Sequence, residues 1–114
     1  MNNSQNRFKL FTFLQDIRRE GLSLDQLYIL SLVWLNEGIT MPEIVTRTGI
    51  PQTTISSHVK YLSQYKEGED IQGLNLVTTT PSLEDRRRLA VYPTVSGKAF
   101  LEKLVLSMQT KGGQ

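Results

Sequence analysis

The chain has 114 residues, 39% hydrophobic and 21% charged, which is the size and balance of one small domain with one core and excludes a disordered chain. Thirteen Lys and Arg against eleven Asp and Glu leave a net charge of +2, so only the placement of the cations carries meaning. With no cysteine, disulfides, thiolate metal sites and thiol redox chemistry are excluded.

No signal peptide is read, because Asp16, Arg18 and Arg19 follow the first apolar run at once. No stretch approaches the roughly eighteen apolar residues of a membrane span. A soluble, cytoplasmic protein with no membrane association is therefore expected, organised as a single domain over 1–114.

The first predicted helix covers 5–20. Phe8, Leu10, Phe11, Phe13, Leu14 and Ile17 spread over more than half its circumference, wider than the single stripe one small core requires. The surplus predicts burial against a partner subunit. The second helix, 23–36, opens on a capping-box pair, Ser23 with Gln26. Gly38 offers a left-handed stop beyond it.

The segment 40–65 reads as a helix-turn-helix. A second capping-box pair, Thr40 with Glu43, starts its first helix, and Pro42 sits where a missing N–H costs little. Gly49 falls where the turn wants a positive φ. The next helix begins at Pro51 and turns Ile55, His58, Val59 and Leu62 inward. Gln52, Thr53, Ser56, Ser57 and Lys60 remain outward, with Thr54 near the edge. A face of hydroxyls, one amide and one cation, free of acids, suits a DNA major groove. Any soluble helix also turns polar residues outward, so the motif fits a scaffold as well.

The acidic, glycine-containing segment 66–72 is expected to be a loop. A hairpin is predicted over 73–93, with Leu74 and Leu76 alternating inward on one strand and Leu89 and Val91 on the other. Its tip carries Glu84, Asp85, Arg86, Arg87 and Arg88. Beside a helix-turn-helix such a ribbon is a wing, whose guanidiniums suit the negative potential of a minor groove. Asp85 is expected to hold and orient Arg87 by bidentate pairing. Arg86 is the free tip probe, and Arg88 faces out of the first ladder position towards a phosphate. The last helix, 94–110, is capped by Thr94, with Phe100, Leu101, Leu104, Val105 and Met108 in a stripe.

The fold class expected is α+β, mostly α: a winged helix-turn-helix with flanking N- and C-terminal helices. Its order of elements, "TRTGIPQTTISSHVKYL" and above all "EDRRRLAVYPTVSGKAFLE", resembles the MarR-family regulators. The second stretch is similar to that family's wing signature, matched here by Asp85, Arg87, Leu89, Val91, Thr94 and Gly97. Pro93, Ser57 and His58 depart from the family pattern. The resemblance implies a homodimer that binds a pseudo-palindromic operator in double-stranded DNA, usually as a repressor, and often a small aromatic effector, for which no residue here gives support. Dimerisation is expected through 5–20 and 94–110, by Phe8, Phe11, Leu14, Leu101, Leu104 and Met108. DNA contact is expected from Arg47, Gln52, Thr53, Thr54, Ser56, Ser57, Lys60 and Arg86 to Arg88.

His58, the only histidine, is expected to be a hydrogen-bonded, half-buried residue rather than a ligand. Trp34 and Tyr28 read as core before pocket. No spacing of acids, histidine or glycines supports catalysis, a metal or a cofactor, so no enzyme is expected. Two other readings stay open: a winged-helix module that binds a protein as an accessory or inhibitory subunit, and a replication or copy-control DNA-binding protein.

Overall fold

Ser23 and Thr40 decide where two of the helices begin. The Ser23 N–H donates to Oε1 of Gln26 at 2.9 Å while the Gln26 N–H donates to Oγ of Ser23 at 3.1 Å, which closes the predicted capping box. At Thr40 both the N–H and the hydroxyl donate to Oε1 of Glu43, each at 2.9 Å. The computed structural model of the chain describes residues 3–63 and 73–108. The predicted loop 66–72, the predicted helical residues 64–65 and 109–110, and the chain's last residues lie outside them.

In chain order the elements are α1 (Asn3–Arg19), α2 (Leu24–Leu35), β1 (Ile39–Thr40), α3 (Met41–Thr48), α4 (Gln52–Leu62), β2 (Val77–Pro81), β3 (Leu89–Pro93) and α5 (Val95–Met108). The sheet is antiparallel throughout, in the order β1-β3-β2. β3 pairs Val91 with both Ile39 of β1 and Thr79 of β2. β1 is an element that periodicity does not predict, because two residues carry no period.

The core gathers where α2, α3, α4 and the sheet meet. Ile29, Leu30, Val33, Ile44, Ile55, Leu62, Val77 and Val91 are completely buried there. Each stabilises the fold by roughly 1.5–3 kcal/mol relative to an exposed position. α1 adds only Ile17 to the buried set, so the body of the fold rests on the other elements.

Three sequence expectations change. Leu74 and Leu76 are not in a strand, although they alternate. Their backbone N–H groups, with that of Asn75, donate to the carbonyls of Tyr61, Leu62 and Ser63, the groups a helix end leaves without partners. The segment 74–76 therefore closes α4, with Asn75 at a φ of 56°, and the ladder starts only at Val77.

Leu89 shares a face with Val91, as alternation requires, but it pairs with Pro81 at the tip end of the ribbon and stays exposed. α2 stops at Asn36, not at Gly38. Gly38 does adopt a φ of 92°, and it donates its N–H to the carbonyl of Val91, serving the sheet instead.

Candidate nucleic-acid interface

α4 follows a turn built as expected. Gly49 closes α3 in the left-handed region, with φ 74° and its N–H on the carbonyl of Val45. The Thr48 hydroxyl then accepts from the N–H of Ile50 at 3.2 Å. Ile55, Val59 and Leu62 anchor α4 in the core.

At about 100° per residue, Thr53, Ser56, Ser57 and Lys60 cluster opposite that anchor, and all four are exposed. Gln52, also exposed, borders them at the helix start, while Thr54 lies half-buried on the flank. α4 carries no acidic residue. This outer face offers hydroxyls, an amide and an ammonium, with the positive end of the helix dipole at Gln52.

The ribbon tip, 82–88, is held by its own backbone. Ser82, which is buried, donates its N–H to the carbonyl of Arg88 at 2.8 Å, and Arg88 donates back to the carbonyl of Asp85 at 2.9 Å. Asp85 is the organiser. Its Oδ1 accepts from the N–H and from Nε of Arg87, each at 3.1 Å, and its Oδ2 from Nη2 of Arg87 at 3.2 Å. These bonds to Arg87 hold the Asp85 carboxyl below the ordinary aspartate range, with the nearby Arg88 charge adding to the effect.

The bidentate pair has the geometry expected from sequence, and Arg87 stays 89% exposed. An ion pair so open contributes little to stability; it fixes where the guanidinium points. Arg88 departs from its expected place. It precedes the ladder and brings Nε to 3.4 Å from Oδ2 of Asp85. Arg86 is exposed and makes no hydrogen bond or ion pair among the described residues.

Arg88 also lies near Arg47 of α3. The two line a cleft of about 310 Å³ with Pro42, Glu43 and Thr46. The Glu43 carboxyl is held below the ordinary glutamate range, first by the Thr40 N–H, then by the Thr40 hydroxyl, with Arg88 and Arg47 adding smaller attractions.

Elsewhere on the surface, Phe8, Phe11, Leu14 and Met108 are exposed, between 52% and 71%. Leu101 and Leu104, expected in a dimer contact, are buried in the chain's own core instead. They lie on the inner side of α5, so its outer side is left to Val105, Leu106 and Met108. Tyr28, expected in the core, is exposed, and with Trp34, Phe13, Val105 and Met108 it lines an apolar groove of about 610 Å³.

His58 is half-buried and hydrogen-bonded, its Nδ1 lying 3.1 Å from Nε2 of Gln26. Sequence reasoning missed that partner, and also the bond from the Tyr61 hydroxyl to the Gly21 carbonyl at 3.1 Å. Both contacts join residues more than thirty positions apart, which no local pattern signals. No group of three His, Cys, Asp or Glu side chains among the described residues is placed to hold a metal, and no helix there is long and apolar enough to cross a membrane.

A helix-turn-helix followed by an antiparallel ribbon and flanked by helices at both ends defines a winged helix. Its arrangement is MarR-like. The chain is similar to the YusO protein of Bacillus subtilis, with TM-score 0.72 and 18% identity over 91% of this chain and 67% of that one. It is also similar to MepR of S. aureus in its complex with DNA, with TM-score 0.71 and 18% identity over 92% and 77% of the two chains. For MarR itself the values are 0.66, 17%, 92% and 73%. No protein-family model and no curated protein matches the chain.

Proposed function

We propose that the protein is a sequence-specific double-stranded DNA-binding transcriptional regulator that acts as a homodimer, usually to repress, and has no enzymatic activity. The observation that carries this reading is the acid-free outer face of α4, exposed on a MarR-like winged helix. MepR, a neighbour of the same fold, is described bound to DNA.

In this reading Gln52, Thr53, Ser56 and Ser57 meet base edges in the major groove, and Thr54 a sugar or phosphate at its rim. Lys60 and Arg47 hold phosphates. Arg87, aimed by Asp85, and Arg86 enter the minor groove, where cations are favoured. Arg88 meets a phosphate above the cleft it shares with Arg47. Dimerisation uses Phe8, Phe11, Leu14 and Met108, each more than half exposed. A two-fold dimer calls for a pseudo-palindromic site with half-sites about one helical turn apart. A cytoplasmic location follows from such a role.

Selection of bound sequences from a random duplex library tests the reading. Enrichment of an inverted repeat is expected. Failure to enrich any duplex, together with capture of one protein partner after nuclease treatment, selects the protein-binding module instead.

A further inference from the structure

We propose that Gln26 and Tyr61 are positioning residues that fasten the C-terminal half of α4 to the corner between α1 and α2, and so set the pose of the side chains offered to DNA. The proposal rests on reading α4 as the helix that enters the duplex.

The argument begins at one amide. The Ser23 N–H can only donate, so the atom of Gln26 that faces it at 2.9 Å is the oxygen. The capping box thereby fixes which way the Gln26 amide is turned. Its NH2 then faces Nδ1 of His58 at 3.1 Å. An amide NH2 also only donates, so Nδ1 of His58 accepts, and the neutral ring carries its proton on Nε2. One side chain therefore closes the start of α2 with one end and holds α4 with the other.

Tyr61 supplies the second tie. It lies three positions after His58, on the same side of α4. Its hydroxyl donates to the carbonyl of Gly21 at 3.1 Å. Gly21 follows α1 at a φ of 78°, a backbone conformation that glycine adopts without strain. Both ties flank the buried stripe of Ile55, Val59 and Leu62. Apolar packing is non-directional; two directional bonds on one flank oppose rotation of the helix about its axis.

The absence of cysteine allows a clean test. Spin labels at Gln15→Cys on α1 and Ser56→Cys on α4, diluted with unlabelled protein, report the distance between the two helices. A narrow distribution is expected with Gln26 and Tyr61 present, and a broad one with Gln26→Met and Tyr61→Phe together. The same two changes in unlabelled protein are expected to weaken a library-selected duplex by roughly fivefold or more, the scale of one or two hydrogen bonds, at unchanged helical content.

Nitrogen-15 spectra should find Nδ1 of His58 unprotonated. In Gln26→Glu, where a carboxylate replaces the donor, Nδ1 should carry a proton and the narrow distribution should return. An unchanged distribution in the double variant, an unchanged duplex affinity, or a protonated Nδ1 in the neutral wild-type ring overturns the proposal. A broadened distribution in a protein that selects no duplex keeps the positioning role and sinks the DNA reading instead.

Discussion

Glu43, exposed, and Asp85, half-buried, are two carboxylates with different work. Glu43 accepts the N–H and hydroxyl of Thr40 at the start of α3, and this pairing holds its carboxyl below the ordinary glutamate range. A carboxyl depressed on folding stabilises the protein above its unfolded range, and that contribution is lost as pH falls through the folded value. The melting temperature should therefore drop between pH 7 and about pH 3.5, and drop less in Glu43→Gln, which removes the titrating group. Thermal melts of the two proteins at both pH values check this.

Asp85 serves aim more than stability. Asp85→Asn should leave the melting temperature at pH 7 near the wild-type value while duplex affinity falls, because Arg87 loses its bidentate partner. Arg86→Ala should cost about 1–3 kcal/mol of binding if the side chain makes one base-edge contact. Titration of labelled duplex measures both.

Among the elements, the start of α5 accounts for the wing signature in physical terms. The Thr94 hydroxyl donates to the carbonyl of Asn75 at 2.7 Å and accepts from the N–H of Gly97 at 2.9 Å. Its own N–H donates to the carbonyl of Leu76 at 3.0 Å. A Cβ on Gly97 would run into that same Leu76 carbonyl, so only glycine lets α5 pass so close to the backbone. Gly97→Ala should destabilise the fold by about 1–3 kcal/mol, as overpacking does; urea unfolding measures it.

Thr94 was legible in the sequence as a cap and Gly97 through the resemblance to a wing signature, while both capping pairs, the Gly49 turn and the Asp85–Arg87 pair were legible as local patterns. The capping pairs, the turn and the ion pair join near neighbours, whereas the reach of Thr94 to Asn75 and of Gly97 to Leu76 does not. What stayed illegible depends on distant partners. β1 exists because β3 has a free edge for Ile39 and Thr40. Leu74 and Leu76 look like a strand until the bare carbonyls of α4 claim their N–H groups. Leu101 and Leu104 look like an interface until α5 is seen to turn that side towards the core.

At the scale of the molecule, the two exposed sides divide the work proposed for it. The α1 side keeps Phe8, Phe11 and Leu14 more than half exposed, an apolar patch of the kind that marks an association surface. Phe8→Glu with Phe11→Glu should shift the protein to monomer in sedimentation at micromolar concentration, and should weaken duplex binding while leaving the urea midpoint near that of the wild-type monomer body. For the DNA-binding face, the phosphate contacts proposed for Lys60, Arg47 and Arg88 predict a log–log dependence of affinity on salt with a slope of several units. A flat salt response would count against the DNA reading.

The joint around Leu76 sets a mechanical limit on all of this. Three neighbours, the end of α4, the foot of the ribbon and the first turn of α5, share the backbone groups of 74–76 and the one hydroxyl of Thr94. None of the three can be displaced alone without stranding a polar group of another. A strain applied at the far end of α5 is therefore delivered to α4 and the ribbon together, so the two shift as a unit.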